Sequence, residues 1–401
     1  MNELLMEELV KRDYLLSKIN IDNSWKGGQI IVPFMGNDAS SIAFGSLTAA
    51  ADIAEYSPVR GTISAYKEVW GSLLFNETDL QQHDGKIPET TFLKILPDQI
   101  DRFMSYMKEC VSIQLTTGPQ FATATAEASS SSGIFTVDRV DRFQIGQKAS
   151  IDDGNSSPTD VYVIAVNIDT KEVTFSASRG GAAADLSAYT IAQGCAFYHD
   201  GVLADGTNAF VSLEDALLSN ANGGGTSLHG QTKTAYPYLQ AFNYDGSSIN
   251  ATNIVEELFE AFLQHRIRAR GKATTFMMSY KNWGSVMKSQ QVDKGGYKVV
   301  NDPKRSEFGW HETVIASTKN GEALTVAAVQ EMPDDLIFAV DFDSMTFRTN
   351  GGFKKRKSPE GDMFYETRAT TGYSYIVDLC LFGELEHTKP SHNMVIHSVS
   401  Y

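Results

Sequence analysis

At residues 274–283 the chain carries the run TTFMMSYKNW. Its first half is apolar, too short for a helix of its own, and typical of a buried strand. Ser279 then supplies the side chain of a helix cap, and Trp283, Val286 and Met287 follow at helical spacing. We therefore predict a short buried strand, a serine cap and a helix that carries a tryptophan.

A second helix is predicted just before this unit. Asn253 and Glu256 have the spacing of a capping box in which Asn is the cap. The helix should continue to Arg270-Gly271. Its predicted apolar stripe consists of Ile254, Leu258, Phe262 and Leu263.

Residues 56–96 have the pattern of a long β-hairpin. Side chains between Gly61 and Phe75 alternate with the two-residue period of a strand. One parity holds Ile63, Val69 and Leu73, and the other holds Tyr66, Glu68 and Trp70. After a polar turn, a return strand is predicted through Ile87, Thr91, Leu93 and Ile95. At about 3.3 Å per residue, such a hairpin is long enough to project from a compact body.

The segments on either side of this hairpin differ in character. Residues 3–16 form a loosely amphipathic pattern, and Gly- and Asn-rich sequence follows, so residues 1–55 are predicted to be an extended arm. Pro97-Asp98 opens a helical pattern with Ile100, Phe103, Met107 and Val111 on one face. A helix of about five turns should end near Gly118-Pro119.

Residues 120–200 are predicted to form a small all-β module inserted into the chain. The clearest strands are residues 135–137, 161–164 and 173–175, which recur at short intervals with turn sequences between them. Pro119 and Gly201 have the character of insertion boundaries. The expectation is an autonomous β domain on the outer surface.

Composition limits the function classes. The 401 residues are 42% hydrophobic and 21% charged, which can bury a core, and the net charge of −15 argues against a surface that reads nucleic-acid sequence. Cys110, Cys195 and Cys380 show no disulfide or zinc spacing. An acidic start and the lack of a long apolar run predict neither a secretory signal nor a membrane span.

No motif indicates catalysis, a cofactor or a metal. His387, His392 and His397 are spaced by five and lack the helical spacing of a zinc protease. Residues 152–155 lack the alternating ligands of a calcium loop, and residues 223–227 lack the Lys of a phosphate-binding loop. We therefore predict no catalytic, cofactor-binding or metal-binding residues.

The order of these elements resembles the major capsid proteins of tailed bacteriophages, with the α+β Hong Kong 97 fold. The most specific part is Phe276 to Gln290, which looks like the strand, cap and aromatic-bearing helix of the axial domain. Residues 331–342 and 364–381 are similar to the turn and strands that close that fold. The resemblance covers most of the chain except residues 120–200.

The resemblance implies a domain assignment. Residues 1–55 would be the N-arm, 56–96 the E-loop and 97–119 the spine helix of the peripheral domain. Residues 120–200 would be the insertion, 201–330 mainly the axial domain, and 331–401 a β-rich return to the peripheral domain.

The resemblance also implies partners and a place in the cell. The chain would bind copies of itself in pentameric and hexameric capsomers and in neighbouring capsomers, in a head that encloses the genome. Scaffolding, portal and decoration proteins would be further partners, packaged DNA would be touched non-specifically, and no membrane would be involved. The location would be the virion, after assembly in the cytoplasm of the host bacterium.

Six residues are predicted intersubunit contacts. Tyr66 and Trp70 lie on the inferred E-loop. The run Lys354, Lys355, Arg356 and Lys357 is a dense cluster of cations in an acidic chain, flanked by Gly351-Gly352 and Pro359-Glu360-Gly361. The run is predicted to bind carboxylates of adjacent copies near a local symmetry axis. The alternative is a solvated loop between strands.

Other function classes stay open at this point. An encapsulin-type nanocompartment shell shares the fold, although the β insertion and the Gly-rich loop favour a phage. A β-rich phage receptor-binding protein is disfavoured by the helices. An enzyme of unrecognised class is disfavoured because no nucleophile elbow, dinucleotide fingerprint or kinase signature occurs.

Overall fold

A computed structural model describes residues 13–26, 28–34, 59–76, 89–125, 133–152, 159–179, 194–202, 208–294, 312–317, 323–355, 365–369 and 372–400. The chain divides into two compact units, one of residues 1–108 with 213–401 and one of residues 109–212. Helices and strands both occur, as expected for an α+β chain.

The described helices are α1 (Tyr14–Lys18), α2 (Glu89–Thr117), α3 (Leu213–Leu217), α4 (Ile254–Gln264) and α5 (Tyr280–Lys294). The strands before residue 200 are β1 (Asn20–Asp22), β2 (Ile30–Pro33), β3 (Arg60–Ile63), β4 (Lys67–Asn76), β5 (Gln120–Thr123), β6 (Ile134–Thr136), β7 (Lys148–Asp152), β8 (Thr159–Asn167), β9 (Glu172–Ser176) and β10 (Ala196–His199). Those after residue 200 are β11 (Ser227–Leu228), β12 (Gln231–Thr232), β13 (Phe242–Asp245), β14 (Thr275–Met278), β15 (Glu312–Ser317), β16 (Ala323–Ala328), β17 (Ile337–Val340), β18 (Met345–Lys355), β19 (Tyr365–Ala369), β20 (Gly372–His387) and β21 (Met394–His397).

The long strand β20 organises the first sheet of the larger unit. Along one edge it pairs antiparallel with β4, from Gly383 opposite Lys67 to Ser374 opposite Asn76. Along the other edge it pairs with β18 and then with β19, and β1 adds to β18 in parallel. We call these five strands the ribbon sheet.

The predicted hairpin of residues 56–96 is wrong in its second strand. The predicted strand from Gly61 to Phe75 is divided as well: β3 ends at Ile63 and pairs with β2, and β4 starts at Lys67 in the ribbon sheet. The partner of β4 is β20, about 300 residues later in the chain. Residues 89–96 belong to helix α2, which therefore starts eight residues before the predicted start at Pro97. Phe92, Ile95 and Leu96 also have helical spacing, so the local pattern supports both structures.

Proline explains why the helix start was misplaced. Pro97 lacks an amide hydrogen, so it favours the first turn of a helix, and the prediction placed it there. In α2 it lies inside the helix, where one backbone hydrogen bond is missing and the chain stays helical. Close packing of the helix on the ribbon sheet is visible at Gly71, because a Cβ there would lie 2.4 Å from Cζ of Phe103.

The described part of the predicted N-terminal arm packs within its own chain. Tyr14, Leu15 and Leu16 are at most 2% exposed. β1 pairs with β18, and β2 pairs with β3. Residues 1–12, 27 and 35–55 of the predicted arm lie outside the described residues.

The second sheet of the larger unit contains the strand of residues 275–278, from the run TTFMMSYKNW. Its strand order is β13-β21-β17-β14-β16-β15, with mixed directions. β14 is buried at all four positions, and the amide of Asn282 donates to Ser279 Oγ at 3.4 Å. Trp283 packs against the core that this sheet shares with α4 and α5. The predicted strand, serine cap and tryptophan-bearing helix are therefore confirmed.

The predicted capping box at Asn253 is wrong. Asn253 stands at the cap position of α4 but makes no side-chain bond to the helix. Its Oδ1 accepts from the amide of Asn250 at 2.7 Å, and its Nδ2 donates to the Ser248 carbonyl at 3.0 Å. The side chain thus stabilises the loop before the helix, which competes with capping because Asn bonds nearby backbone readily.

The predicted return of residues 331–401 to one domain does not match the sheets. β18, β19 and β20 belong to the ribbon sheet, whereas β17 and β21 pair with β14 and β13 in the mixed sheet. The segment therefore contributes strands to both sheets. Short strands of similar composition carry no local signal of the sheet that they join.

Residues 109–212 form the smaller unit. Strands β5 to β10 make an antiparallel sheet in the order β5-β10-β7-β8-β9-β6. A bridge between Ala124 and Val137 joins its two edges, so the sheet closes into a barrel. The predicted strands at 135–137, 161–164 and 173–175 correspond to β6, β8 and β9. Five aromatic rings fill the interior, namely Phe121, Phe135, Phe143, Phe175 and Phe197.

Candidate assembly surface

One face of the ribbon sheet carries an aromatic cluster formed by Trp25, Tyr66, Trp70 and Phe382. The ring of Phe382 lies 5.1 Å from the ring of Tyr66 and 5.6 Å from that of Trp70, both in edge-to-face geometry. Trp25 packs on the other side of Tyr66 at 5.5 Å. The structure therefore brings the two predicted contact residues Tyr66 and Trp70 together through Phe382.

The two predicted residues differ in accessibility. Tyr66 is half-buried among its neighbours, whereas 49% of Trp70 is exposed. The indole nitrogen of Trp70 donates to Glu68 Oε2 at 2.8 Å, so its polar atom is satisfied within the chain. What Trp70 offers to a partner is apolar ring surface, which gains free energy when it is covered.

The predicted basic run meets this face at its first residue. Cys380 on β20 stands opposite Trp70 on β4 and opposite Lys354 on β18. Directly opposed residues share a sheet face. Trp70 and Lys354 therefore lie in one row, two strands or about 10 Å apart, although 284 positions separate them in sequence.

The alternative reading of the basic run, a solvated loop, is wrong for its first two residues. Lys354 and Lys355 are the last residues of strand β18, and Gly351-Gly352 form a bulge inside that strand with φ of 76° and 71°. The bulge needs glycine because both residues have left-handed backbone. Lys354 Nζ donates to Asn350 Oδ1 at 2.9 Å. Arg356 and Lys357 lie outside the described residues.

Cys380, between Trp70 and Lys354, has the surroundings of an inert thiol. It is 4% exposed, and its Sγ donates to the carbonyl of Lys354 at 3.4 Å. Burial raises the pKa of the thiol. Since the thiolate is the reactive form, this cysteine is suited to packing and not to chemistry.

An ion-pair network fastens the edge of the ribbon sheet. Arg348 on β18 pairs with Asp22 on β1 and with Glu386 on β20. Hydrogen bonds from Ser24, with Arg348 alongside, lower the pKa of Asp22. Glu386 is only 2% exposed, so its carboxylate depends on Arg348 for charge compensation.

His229, Lys233 and His387 are three buried basic side chains, although the sequence pattern showed only scattered histidines. The amide of His387 donates to His229 Nε2 at 3.1 Å, and His387 is fully buried. Burial lowers the pKa of both rings, to about 4 for His229. Lys233 donates to the carbonyls of Asp215 and Leu218, and burial lowers its pKa to about 8. These three side chains are buried and form no accessible site.

A second basic cluster, which was not predicted from the sequence, lies at the end of α4. The helix continues into a π-helical turn, His265–Ala269, around which stand Arg266, Arg268, Arg270 and Lys272. Leu263, predicted to belong to the buried stripe, is 52% exposed, and Ile267 is 79% exposed. We call residues 263–272 the basic turn. Alternate arginines at 266, 268 and 270 were the available signal.

Within the residues that the structure describes, neither a membrane-spanning helix nor a metal site is found. No helix there is long and apolar enough to cross a membrane. No three side chains of His, Cys, Asp or Glu come together there as a metal site would require.

Comparison with known proteins gives similarity at the level of structures. No protein-family model matches the chain, and no curated protein sequence matches it. The chain is similar to a solved structure of the capsid of Myoviridae phage XM1, with 8% identity and a TM-score of 0.43, over 96% of this chain and 91% of that one.

Two other solved structures are similar over comparable lengths. The capsid of the native GTA particle has 10% identity and a TM-score of 0.46, over 98% of this chain and 91% of that one. The capsid of cyanophage A-1(L) has 11% identity and a TM-score of 0.46, over 99% and 93%. These structures are capsids, the class that the sequence resemblance named. At these identities and TM-scores the similarity does not establish a function for this chain.

Proposed function

We propose that the chain is the major capsid protein of a tailed double-stranded DNA phage, which assembles with copies of itself into pentamers and hexamers of an icosahedral head. The observation that carries the proposal is the half-exposed Trp70 on the ribbon sheet, in one row with Lys354. A subunit that binds its own copies needs apolar surface that it cannot cover alone.

The free energy gained by covering Trp70 is large enough for an assembly contact. A tryptophan side chain presents about 200 Å² of surface, so covering the exposed half of Trp70 is worth about 2 to 3 kcal/mol. In a closed shell every copy makes the contact, and modest terms accumulate over many neighbours. Tyr66 supports the ring of Phe382 against which Trp70 packs, and so sets the direction of the indole.

Charge supplies the second part of the proposal. Copies with a net charge of −15 repel one another, so local contacts of opposite sign select the register of assembly. Lys354 to Lys357 would meet carboxylates of a neighbouring copy beside the Trp70 contact. The outer-surface position of the inserted β domain of residues 120–200 belongs to the same proposal.

Electron microscopy of the purified full-length chain tests the proposal. Closed shells or capsomers are expected, and a dispersed monomer under all assembly conditions would refute it. Trp70→Ser should keep the circular dichroism spectrum of the parent and slow assembly. Ile168→Ser is the matched control, because Ile168 is 73% exposed on the barrel.

The basic run has its own test. Replacing Lys354, Lys355, Arg356 and Lys357 by Gln should preserve the fold and make shell stability less sensitive to salt, because exposed ion pairs are screened by salt. Shells of this variant that dissociate over the parent's salt range would show that the run is a solvated segment.

A further inference from the structure

The basic turn carries most of its cations on the surface. Arg268, Arg270 and Lys272 are exposed. Ile267, which stands among them, is 79% exposed. Arginine together with exposed apolar side chains is typical of protein interfaces. The basic turn therefore has the composition of a surface that binds another protein chain.

The backbone of the basic turn is held in place from within its domain. His265 is fully buried, and its ring stacks on that of Phe242 at 5.9 Å. The amides of Lys272 and Ala273 donate to the carbonyl of His392, at 3.2 Å and 3.1 Å. A turn held in this way loses little conformational entropy when a partner binds.

A second charged turn belongs to the same sheet. Residues 331–335, between β16 and β17, contain three carboxylates, and we call them the acidic turn. Asp334 and Asp335 are exposed, and Glu331 is half-buried. The three carboxylates outnumber the neighbouring cation Lys281, so the surface of this turn is acidic.

An aromatic ring accompanies the acidic turn. Tyr280, the first residue of α5, is 44% exposed. Partial burial, with Glu331 nearby, raises the pKa of its phenol. The side chain of Asn282 donates to the carbonyl of Asp334 at 2.8 Å and so joins the turn to the start of the helix. A ring beside carboxylates suits arginine, whose guanidinium stacks on the ring and bonds the carboxylates.

Strand β14 separates the two charged turns. The basic turn precedes the first residue of β14. β17 pairs antiparallel with β14, so the acidic turn before β17 lies beside the other end of β14. The four residues of β14 span about 13 Å, and loop residues at both ends add to this distance. The basic and acidic turns therefore lie at opposite ends of one sheet, too far apart for ion pairs within one copy.

We propose that the basic turn of each copy binds the acidic turn of the next copy around a pentamer or hexamer. The exposed carboxylates of the acidic turn bind Arg268 and Arg270 of the neighbouring copy, and Tyr280 covers Ile267. Two different surfaces meet, so the contact is heterologous and can close into a ring. The inference rests on the proposed function, because capsomers are the rings in which these copies meet.

A second copy fits the basic turn better than nucleic acid does. Duplex DNA would pair with the cations but would leave Ile267 without an apolar partner. A chain with a net charge of −15 also repels a polyanion. The acidic turn of another copy supplies both the carboxylates and an aromatic ring.

Charge reversal tests this contact. One variant carries Arg268→Glu and Arg270→Glu, and the other carries Asp334→Arg and Asp335→Arg. Each should lower the assembly equilibrium constant by about tenfold or more, because every contact in the ring then joins like charges. A chain with all four substitutions should regain most of the parent's assembly, and no recovery would contradict the pairing.

The matched control changes two exposed cations of the smaller unit. Lys171 and Arg179 are both exposed. Lys171→Glu with Arg179→Glu alters the net charge as much as the reversed basic turn does. This control should assemble more readily than the chain with the reversed basic turn, and equal losses would assign the effect to net charge and overturn the inference.

Mixing the two charge-reversed variants tests the order of copies around the ring. In an equimolar mixture, a hexamer in which the variants alternate has opposite charges at every contact. A pentamer cannot alternate, so one of its contacts always joins like charges. We expect electron microscopy to show hexamers, tubes or open sheets. Closed shells at the parent's yield, or a complete lack of hexamers, would contradict the cyclic contact.

Cysteine cross-linking gives a second test that does not depend on charge. A chain with Arg268→Cys and Asp334→Cys, treated in its assembled form with a short bismaleimide, should give a ladder up to the hexamer on a denaturing gel. Each single substitution is a control and should give no ladder. A product that stops at the dimer, or no product beyond the controls, would overturn the inference.

Failure of this inference is distinct from failure of the proposed function. If the basic turn binds DNA instead, its reversal should abolish binding of short duplex DNA, whereas reversal of the acidic turn should leave assembly unchanged. If the parent forms shells and all charge variants assemble as it does, the ring contact is refuted and the capsid function stands. If the parent forms neither shells nor capsomers, the proposed function fails first. Circular dichroism identifies any variant that fails to fold, and the cross-linking test then decides.

Discussion

Adding one methyl group at Gly271 should destabilise the unit that contains the mixed sheet. A Cβ at this position would lie 1.8 Å from Nε2 and 1.9 Å from Cε1 of His265. Van der Waals contact needs about 3.5 Å, so the ring would have to retreat by about 1.7 Å. His265 is fully buried, which leaves it no open space in which to move. The backbone at Gly271 lies outside the left-handed region, so alanine is excluded by the ring alone.

The expected loss is at the upper end of overpacking effects, about 3 kcal/mol in the free energy of unfolding. His265→Ala alone should cost about 2 kcal/mol, because it leaves a cavity beside Phe242. The double variant removes the clash as well as the ring and should also lose about 2 kcal/mol, not the additive 5. Gly284→Ala is the control, because no atom lies within 4 Å of its added Cβ. As a helix substitution it should stabilise by about 0.5 to 1 kcal/mol.

Urea unfolding followed by circular dichroism at neutral pH measures all four variants. The reasoning is refuted if Gly271→Ala unfolds at the parent's urea concentration. It is also refuted if the effects of Gly271→Ala and His265→Ala are additive within about 0.5 kcal/mol.

The remaining predictions concern pH, charge and autonomy. Burial lowers the pKa of His199 to about 4, so only the unfolded chain takes up its proton between pH 6.5 and 4, and stability should fall as the pH falls through that range. In His199→Phe, the loss of unfolding free energy between pH 6.5 and pH 4 should be smaller than in the parent by about 3 kcal/mol, as measured by thermal melting at a series of pH values. If the variant loses as much stability over this range as the parent, His199 is not buried as a neutral ring. Arg348→Leu leaves the Glu386 carboxylate buried without its partner and should lower the free energy of unfolding in urea by about 2 to 4 kcal/mol. Asp22→Asn should lower it by about 1 kcal/mol or less. Equal losses for the two variants would contradict the view that Glu386 depends on Arg348 more than Asp22 does. Residues 109–212 expressed alone should unfold cooperatively in a calorimeter, and a transition without cooperativity would show that the barrel depends on the rest of the chain.

Helix α4 shows how far the buried face of a helix can be predicted from its sequence. The helical period identified Ile254 and Leu258 correctly as core residues, but it placed Leu263 with them. Leu263 precedes the π-turn of residues 265–269 and follows Leu258 by five residues, about 140° around an α-helix, so it lies away from the buried face. Helical geometry therefore already separates Leu263 from the core residues, whereas the π-turn that carries Ile267 is known only from the backbone.

Strand β4 shows the same limit for sheets. Alternation from Ile63 to Leu73 predicted the strand, and it also separated Tyr66 and Trp70 from the residues of opposite parity. The partner of the strand was predicted nearby, because hairpins are the commonest local pairing, but the partner is β20. Backbone hydrogen bonds of a strand are alike for any partner, so the sequence of one strand does not specify the other.

By itself, the sequence determined the elements whose signals are local. These include the strand, cap and helix at residues 274–290, three strands of the barrel, the alternation of β4, and the absence of any known catalytic motif. Only the tertiary structure decided which strands pair, that the barrel closes, that Trp70 and Lys354 share a row beside Cys380, and that a π-turn follows α4. Periodicity follows from the geometry of one segment, whereas exposure and pairing depend on segments far away in the chain.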